Sequence, residues 1–405
     1  MDILSEARAL QDTLTAWRRT LHKNAEVGTD LPKTAAFVES ILTDLSVAHC
    51  RLTENGIVGW MGQGSRTILL RADMDALPGT ERSGLAFACR TGAVHACGHD
   101  MHTAMLLGAA SLLQKRCREL PGRVVLMFQP GEECMTGAKA MVDAGLLERF
   151  SPDCALAMHV NVQDVPDGQV WIKQGAFMAA SDSFEIEVTG KRGHGAHPHT
   201  AVNPIYAAVQ IIQALTDITR YEISPMTPAI LTVCAVQAGD AANVIPETCL
   251  FRGTVRTLDA GVRDRILERA ADVAQQVAKA YRCAARFCLL ASTPATVNDA
   301  GFSTWARRRL EELLGLERVQ APSMSSMGSE DFSQISSRIP SCYMSIGIPR
   351  APGCQAPLHS EHIVFDETNL YLGAAVFASL ALDYLDDTYV PTRSALGDIK
   401  KEETT

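Results

Sequence analysis

The chain has 405 residues and a formal net charge of −9, with 47% hydrophobic and 20% charged residues. This length is too great for one ordinary hydrophobic core, so we expect a globular protein of two domains. The acidic balance and the lack of clustered Lys and Arg argue against a nucleic-acid partner and favour a small-molecule one.

Nothing in the sequence indicates export or a membrane. The N-terminus lacks the basic start and the continuous apolar run of a signal peptide, and no later segment is a long uncharged apolar run. The twelve cysteines are scattered, often inside apolar runs, as reduced core cysteines are. We therefore predict a cytoplasmic protein without a membrane partner.

Strand-like and helical runs alternate through the first part of the chain. After an N-terminal helix come the strands "GIVGWMG" and "TILLRADMD", the helix "TAMLLGAASLLQKR", the strand "GRVVLMFQ", the helix "GAKAMVDAGLLERF" and the strand "CALAMHV". Strands that are apolar on both faces and alternate with helices indicate an α/β domain with a mixed, mostly parallel sheet covered by helices on both faces. Ligands bind such sheets beyond the carboxyl ends of the strands.

The pattern changes at about residue 181. The next elements have the order strand, helix, strand, strand, helix, strand, which is the ferredoxin-like βαββαβ arrangement. From about residue 292 a helix, the strand "SCYMSIGI" and a closing helix resemble the missing part of the first domain. We therefore predict a discontinuous catalytic domain at 1–180 and 292–390, an inserted domain at 181–291 and a polar tail at 391–405.

Side chains that can bind a metal occur where several of these strands end. They are Cys97 and His99 in "HACGHDMH", Glu132, Glu133, His159 and His359. Thiolate, imidazole and carboxylate form the ligand set of zinc and its neighbours. Five ligands and a spare carboxylate exceed the needs of one catalytic zinc, and they suit two metals that share a water.

The spacing suggests how these side chains divide their roles. Cys97 and His99 would face the same way in an extended segment, whereas the adjacent Glu132 and Glu133 would alternate, so one should bind metal while the other handles protons. Taken singly, His159 could be a hydrogen-bonded structural residue and the glutamates a solvated turn; their joint placement at one rim favours the metal site. Other nearby residues could orient the ligands or only serve turns and caps. These are His95, His102, Asp73, Asp75 and Asp100.

At these residues the chain resembles the dinuclear-metal amidohydrolase and peptidase family of aminoacylases, hippurate hydrolase, carboxypeptidase G and the plant hydrolases of indole-acetyl-amino acids. The resemblance extends nearly end to end, through "RRTLHKNAEVG", "RADMDALP", "HACGHDMHTA", "FQPGEE", "GHGAHPHTAVNP", "GDAANVIPE", "RGTVRTLD", "MGSEDFS" and "LHSEHIVFDE" in the expected order. It is closest to the hippurate and auxin-conjugate hydrolase branch, which has Cys-x-His where other branches use a bridging aspartate.

The resemblance implies a role for each matching residue. It makes Glu132 the general acid/base and the following residues the metal ligands: Cys97, His99, Glu133, His159 and His359. It implies that the inserted domain is a dimerising lid from which His194 reaches the oxyanion. Asn243 and Arg256 match residues that hold the substrate's carbonyl and carboxylate, although Arg256 could instead form a strand-edge ion pair. His197 departs from the apolar residue of relatives, and its role stays open.

These expectations combine into a homodimeric amidohydrolase of N-acyl amino acids with two divalent metal ions, zinc or manganese first and cobalt or nickel next. A dipeptidase or carboxypeptidase is the alternative within the same family, but no acidic anchor for a free amine is evident. A catalytically silent metal- or ligand-binding protein and a thiol-based redox protein using Cys97 are alternatives of other classes. The intact Glu132–Glu133 pair argues against a silent binding protein, and the absence of Cys-x-x-Cys argues against a redox protein.

Overall fold

A computed structural model of the chain describes residues 2–387 and 389–391. The predicted polar tail lies outside the described residues from position 392 onward. The chain divides into two compact units. The first contains the described residues up to Gly175, Val297–Ser323 and the described residues from Asp331 onward, and the second contains Ala176–Thr296 and Met324–Glu330.

Regular elements occupy most of both units. The helices are α1 Ile3–Arg8, α2 Gln11–Lys23, α3 Pro32–Asp44, α4 His99–Gln114, α5 Gly137–Asp143, α6 Leu146–Phe150, α7 Pro204–Asp217, α8 Ala260–Ala280, α9 Ala300–Leu314, α10 Ser333–Ser336 and α11 Leu370–Asp386. The strands are β1 Ala48–Arg51, β2 Ile57–Gly62, β3 Thr67–Asp73, β4 Leu77–Pro78, β5 Ala93–Val94, β6 Arg123–Gln129, β7 Cys154–Asn161, β8 Val170–Trp171, β9 Gly175–Met178, β10 Ala180–Thr189, β11 Gly193–His194, β12 Ala229–Gln237, β13 Val244–Ile245, β14 Thr248–Thr257, β15 Ala284–Thr293, β16 Thr296–Asn298, β17 Val319–Gln320 and β18 Ser341–Gly347.

The first unit is built on an eight-stranded sheet in the order β1-β2-β6-β3-β7-β18-β8-β17. Its centre, from β6 through β3 and β7 to β18, is parallel, and antiparallel pairs join β1 to β2, β2 to β6 and β18 to β8. Every residue of β3 is buried. A parallel sheet covered on both faces requires such continuous apolar strands, which confirms the prediction of a mixed, largely parallel sheet.

The long helix α4 runs through the core of this unit. Nearly all of its residues are buried, and it packs against α11 and α2 and against strands of the sheet. A helix that is apolar all round is stable only when it is enclosed on every side. The first turn of α4, which carries His99 and His102, is therefore held in a fixed position.

Two helix predictions were wrong in their extent. The single helix expected at the N-terminus is two helices, α1 and α2, and "GAKAMVDAGLLERF" also forms two, α5 and α6. Between α5 and α6, Gly145 has a φ of 89°, a left-handed conformation that interrupts a right-handed helix. Helix α3 and strand β1 were not predicted.

The second unit contains a four-stranded antiparallel sheet in the order β12-β14-β10-β15. Along the chain α7 lies between β10 and β12, and α8 lies between β14 and β15. Side chains of β10 alternate strictly between buried and half-buried, and Phe184, Ile186 and Val188 share a separate core with α7 and α8. This alternation is typical of a sheet with helices on one face only.

Within the described residues, no helix combines the length and the apolar character that crossing a bilayer requires.

Candidate metal centre

The parallel strands of the first unit deliver polar side chains to one edge of the sheet. The register places Asp73 at the end of β3 beside Gln129 at the end of β6, and Asn161 at the end of β7 beside Gly347 at the end of β18. The predicted ligand His159 is therefore close to this edge, two residues before the end of β7. The segments that follow these strands can meet there.

A glycine turn joins Cys97 to His99. Gly98 has a φ of 93° and precedes α4, and a Cβ at this position would lie 2.5 Å from a methyl of Val160. Only glycine fits so close an approach in that conformation. The expectation of one extended segment was wrong, because His99 is the first residue of α4. The turn nevertheless brings Cys97 and His99 together.

Cys97 lies at the junction of two groups of side chains. Its Sγ is 3.3 Å from His159 Nε2 and 3.4 Å from His359 Nε2. One group is Cys97, His99 and His159, and the other is Cys97, Glu133 and His359. Within each group the ligand atoms lie within 4.8 Å of one another. A thiolate in this position can contact two cations at once.

The two glutamates approach the same histidine. The carboxylate of Asp75 accepts hydrogen bonds from the backbone N–H of Glu132 at 3.0 Å and of Glu133 at 3.1 Å. One oxygen of each glutamate lies 3.9 Å from His99 Nε2. The expected alternation of these side chains was therefore wrong, because the segment is a turn rather than an extended strand.

Two buried ligand atoms in this cluster have no hydrogen-bond partner among the described residues. They are Nε2 of His99 and Oε1 of Glu133, while Nδ1 of His99 faces Oδ1 of Asp75 at 3.4 Å. A buried polar atom without a partner costs about 1–3 kcal/mol. A divalent cation would satisfy these atoms, and thiolate, imidazole and carboxylate are suitable donors for it. The residues present thus fit a metal site.

Hydrogen bonds distinguish a free histidine nitrogen from an occupied one. His159 donates from Nδ1 to the carbonyl of Val160 at 2.6 Å, so its Nε2 keeps a lone pair on the side of Cys97. Burial holds the pKa of His159 well below its usual value. His102 uses both nitrogens, because Nδ1 donates to Asp73 at 2.6 Å and Nε2 accepts from the N–H of Val160 at 2.9 Å. His102 therefore has no lone pair for a cation.

Two of the grouped side chains hold their protons unusually tightly. Burial raises the pKa of the Cys97 thiol to about 12, against the opposing effect of His99. Burial alone would lower the pKa of His99, but the charge of Asp73 raises it well above its usual value. A cation bound here must displace these protons, since metals bind thiolate and unprotonated imidazole.

A buried arginine network behind the site was missed by the sequence analysis. The guanidinium of Arg71 pairs with Asp73 at 2.9 Å and with Asp331 at 3.0 Å, and it donates to Gln129 at 2.8 Å. Asp331 belongs to the "SEDF" stretch, whose role was not assigned. The signal was available, since an arginine inside the apolar run "TILLRADMD" requires buried acidic partners.

The remaining predicted site residues, and His197, lie in the second unit. Strands β11 and β13 place His194 opposite Val244, and the N–H of Gly195 donates to the carbonyl of Asn243 at 2.8 Å. His194 and Asn243 are therefore neighbours. The ring of His197 lies 5.5 Å from that of His194, centroid to centroid.

Arg256 lies on β14 of the same unit, half-buried. Its guanidinium donates to the hydroxyl of Thr254 and the carbonyl of Val255, and no ion pair with a carboxylate forms within the described residues. Burial lowers the pKa of Arg256. The strand-edge ion pair, which was the alternative for this residue, is thus not observed among them.

Comparisons with known proteins agree on one family. Residues 69–383 match Peptidase family M20/M25/M40. The chain is similar to hippurate hydrolase of Campylobacter jejuni, with 34% identity over 95% of this chain and 100% of that one. It is similar to thermostable carboxypeptidase 2 of Saccharolobus solfataricus, with 32% identity over 94% and 97%. It also resembles the crystal structure of the Bacillus subtilis YXEP protein, described as a dinuclear metal binding peptidase, with a TM-score of 0.81 and 31% identity over 93% and 98%.

Proposed function

Because this chain belongs to peptidase family M20/M25/M40, we propose that it is a metal-dependent amidohydrolase that cleaves the amide bond of N-acyl amino acids. The products are a carboxylic acid and a free amino acid. Hippurate is itself an N-acyl amino acid, and the similarity to hippurate hydrolase extends over almost the whole chain. The observation that carries the proposal is Cys97, placed between two groups of metal-competent side chains.

We assign the cluster to two divalent cations that share Cys97. Sulfur and imidazole favour zinc, whereas the carboxylate also suits manganese, and cobalt or nickel fit the same donors. The unpartnered Nε2 of His99 and the unpartnered Oε1 of Glu133 support this assignment. The proposed ligands are Cys97, His99, Glu133, His159 and His359.

Glu132 is the proposed general acid/base. Two cations in this cluster would acidify a water molecule and polarise the amide carbonyl. Glu132 would accept a proton from the attacking water on a carboxylate oxygen and then pass it to the leaving nitrogen. Its side chain is largely buried, and it stands outside both groups that contain Cys97. Glu133, by contrast, lies 3.7 Å from His359 Nε2.

Replacing Glu132 by glutamine tests this role. The amide keeps the shape of the side chain but cannot take the proton, so we expect turnover to fall by about 100-fold or more, the usual contribution of a general base. Metal analysis should still find two cations per chain. Glu148→Gln, at an exposed glutamate of α6, is the matched control and should keep full activity. Wild-type turnover in Glu132→Gln with unchanged metal content would exclude the assignment.

We propose that residues 181–291 form a ferredoxin-like lid that also makes a homodimer. Strand β12 is an edge of the second unit's sheet, and its Ile230 and Val236 are 39% and 55% exposed. Tyr206 and Val209 on α7 are likewise exposed. Edge strands with exposed apolar side chains readily pair with another chain. Sedimentation should give a dimer, and Val236→Lys should give monomers if β12 forms the interface.

The same lid would bring polar groups to the substrate. We propose that His194 stabilises the developing oxyanion, that Asn243 holds the carbonyl and that Arg256 pairs with the substrate carboxylate through its planar fork. The adjacency of His194 and Asn243 supports a shared target for the two side chains. The free N–H groups of Arg256 are suited to a carboxylate.

A carboxypeptidase or dipeptidase activity is the second candidate, since the chain is also similar to a carboxypeptidase. A hydrolysis screen separates the two: acyl group and amino acid are varied independently, with each metal added back to stripped protein. Preference for aromatic or fatty acyl groups over free dipeptides is the expected result. Faster hydrolysis of dipeptides would favour the alternative, and bound metal without any hydrolysis would favour a silent binding protein.

A further inference from the structure

His102 is a buried histidine beside the metal cluster that the proposed mechanism does not use. It lies one turn after His99 on α4, and its ring is 4.5 Å from that of His159, centroid to centroid, at an angle of 65°. Both of its nitrogens are engaged, one by Asp73 and the other by the backbone of Val160. His102 therefore connects Asp73, at the end of β3, to the backbone of β7 next to the proposed ligand His159.

Val160 connects the two histidines through its backbone. Its N–H donates to Nε2 of His102, and its carbonyl accepts from Nδ1 of His159. The ladder between β3 and β7 ends earlier, at the pair of Arg71 and Ala157. His102 thus supplies the acceptor for a buried N–H beyond the end of that ladder, and the hydrogen bond fixes the peptide that carries His159.

The far side of His102 is anchored as firmly. Asp73 accepts the Nδ1 proton at 2.6 Å and is itself paired with Arg71 at 2.9 Å, and both residues are about 1% exposed. Because the N–H of Val160 can only donate, Nε2 of His102 must accept and Nδ1 must carry the proton. From His159 through Val160 and His102, each hydrogen bond is therefore donated towards Asp73, which also accepts from Arg71 on its other side.

We propose that His102 is a positioning residue, which aims Nε2 of His159 at the cation held by Cys97, His99 and His159. The proposal rests on the proposed function, because it assumes that this group binds a cation. Partners that orient a metal-binding histidine typically contribute about 10- to 100-fold to metal affinity. Since His159 belongs to only one of the two groups around Cys97, His102 acts on only one of the two cations.

Cobalt titration of the stripped full-length protein tests this assignment. His102→Phe keeps a ring against His159 but removes both hydrogen bonds, so one of two cobalt ions should bind about 10- to 100-fold more weakly while the other keeps its affinity. The visible absorption of the weakened site should change, whereas the sulfur-to-cobalt band of Cys97 should persist. His102→Gln keeps an acceptor oxygen for the N–H of Val160 and should recover part of the loss.

His49→Phe is the control. His49 is a half-buried histidine of β1 that belongs to none of the groups of metal-competent side chains. This variant should bind both cobalt ions with wild-type affinity. Equal weakening of both ions in His102→Phe, or wild-type affinity for both, would overturn the positioning role. If wild-type protein binds fewer than two cobalt ions, the two-metal proposal itself fails instead. Should His102→Phe not fold by circular dichroism, His102→Gln decides by the same criterion.

Discussion

Cys97→Ser should reduce the number of protons that metal binding releases. Burial raises the pKa of the Cys97 thiol to about 12, so at neutral pH the thiol is protonated before a cation binds. Binding requires the thiolate, and one proton must leave. Below pH 12 this single proton makes the affinity about tenfold tighter for each pH unit, equivalent to about 1.4 kcal/mol. Metal affinity rises with pH because the free site holds a proton that the metal-bound site has lost.

His99 adds to the same effect. Because its pKa is raised well above the usual value, it also loses a proton on binding as long as the pH lies below that raised pKa. Wild-type protein should therefore release between one and two protons per pair of cations near pH 7. Serine does not ionise in this range, so Cys97→Ser should release one proton fewer. Both cations should also bind more weakly, because Cys97 belongs to both groups.

Calorimetric titration of stripped protein with zinc measures this release directly. The binding enthalpy is compared in buffers of the same pH and different ionisation enthalpy, and the slope gives the number of protons. Cys354→Ser is the control, because Cys354 lies outside both groups and a serine oxygen can still accept from the N–H of Val364. Identical proton release in wild-type and Cys97→Ser protein, or a zinc affinity independent of pH, would refute the reasoning.

Three further predictions concern substrate binding, metal removal and stability. Arg256→Met should raise KM about 10- to 100-fold for acyl amino acids, because a charge-assisted hydrogen bond is lost, while kcat changes little. Substrates that lack the carboxylate should be unaffected. An equal effect on both substrate types in steady-state kinetics would contradict carboxylate binding. A chelator should abolish activity and lower Tm, since cations at 100 times Kd add about 2.7 kcal/mol to stability; chelator-insensitive hydrolysis would instead favour a thiol mechanism. Asp182→Ala removes the buried carboxylate that pairs with the partly exposed Arg263 at 2.7 Å. It should lower the free energy of unfolding by about 1.5–3 kcal/mol, the contribution of charge-assisted hydrogen bonds, measured by denaturant titration. A change below about 0.5 kcal/mol would assign the pair no net role.

The fold could be predicted from the sequence where burial imposes a pattern. The run "TILLRADMD" predicted β3 because a strand covered on both faces is mostly apolar, and "TAMLLGAASLLQKR" predicted α4 because an enclosed helix is apolar on most of its surface. The break at Gly145 was missed, since a left-handed glycine has no signal beyond glycine itself and the residues around it remain good helix formers. Periodicity reports burial, but it does not report the dihedral angles of a single residue.

The candidate metal centre shows the same division. Residue types and their placement at strand ends predicted that Cys97, His99, the two glutamates, His159 and His359 should meet, because parallel strands end at a common edge. The choice of Glu133 over Glu132 as the ligand came from the family resemblance. The structure brings the ligand atoms together. The directions of the side chains could not be predicted, because they depend on turns whose geometry the flanking packing sets.

What the sequence determined by itself is therefore the set of chemical groups and the sheet edge at which they gather, since both follow from residue type and burial. Only the tertiary structure decided which nitrogen of each histidine is free. Both nitrogens of His102 are hydrogen-bonded, one to Asp73 and the other to the backbone N–H of Val160, whereas Nε2 of His159 is free to bind a cation. Every residue type except proline carries a backbone N–H, so no pattern of letters could indicate that this one lies in front of His102.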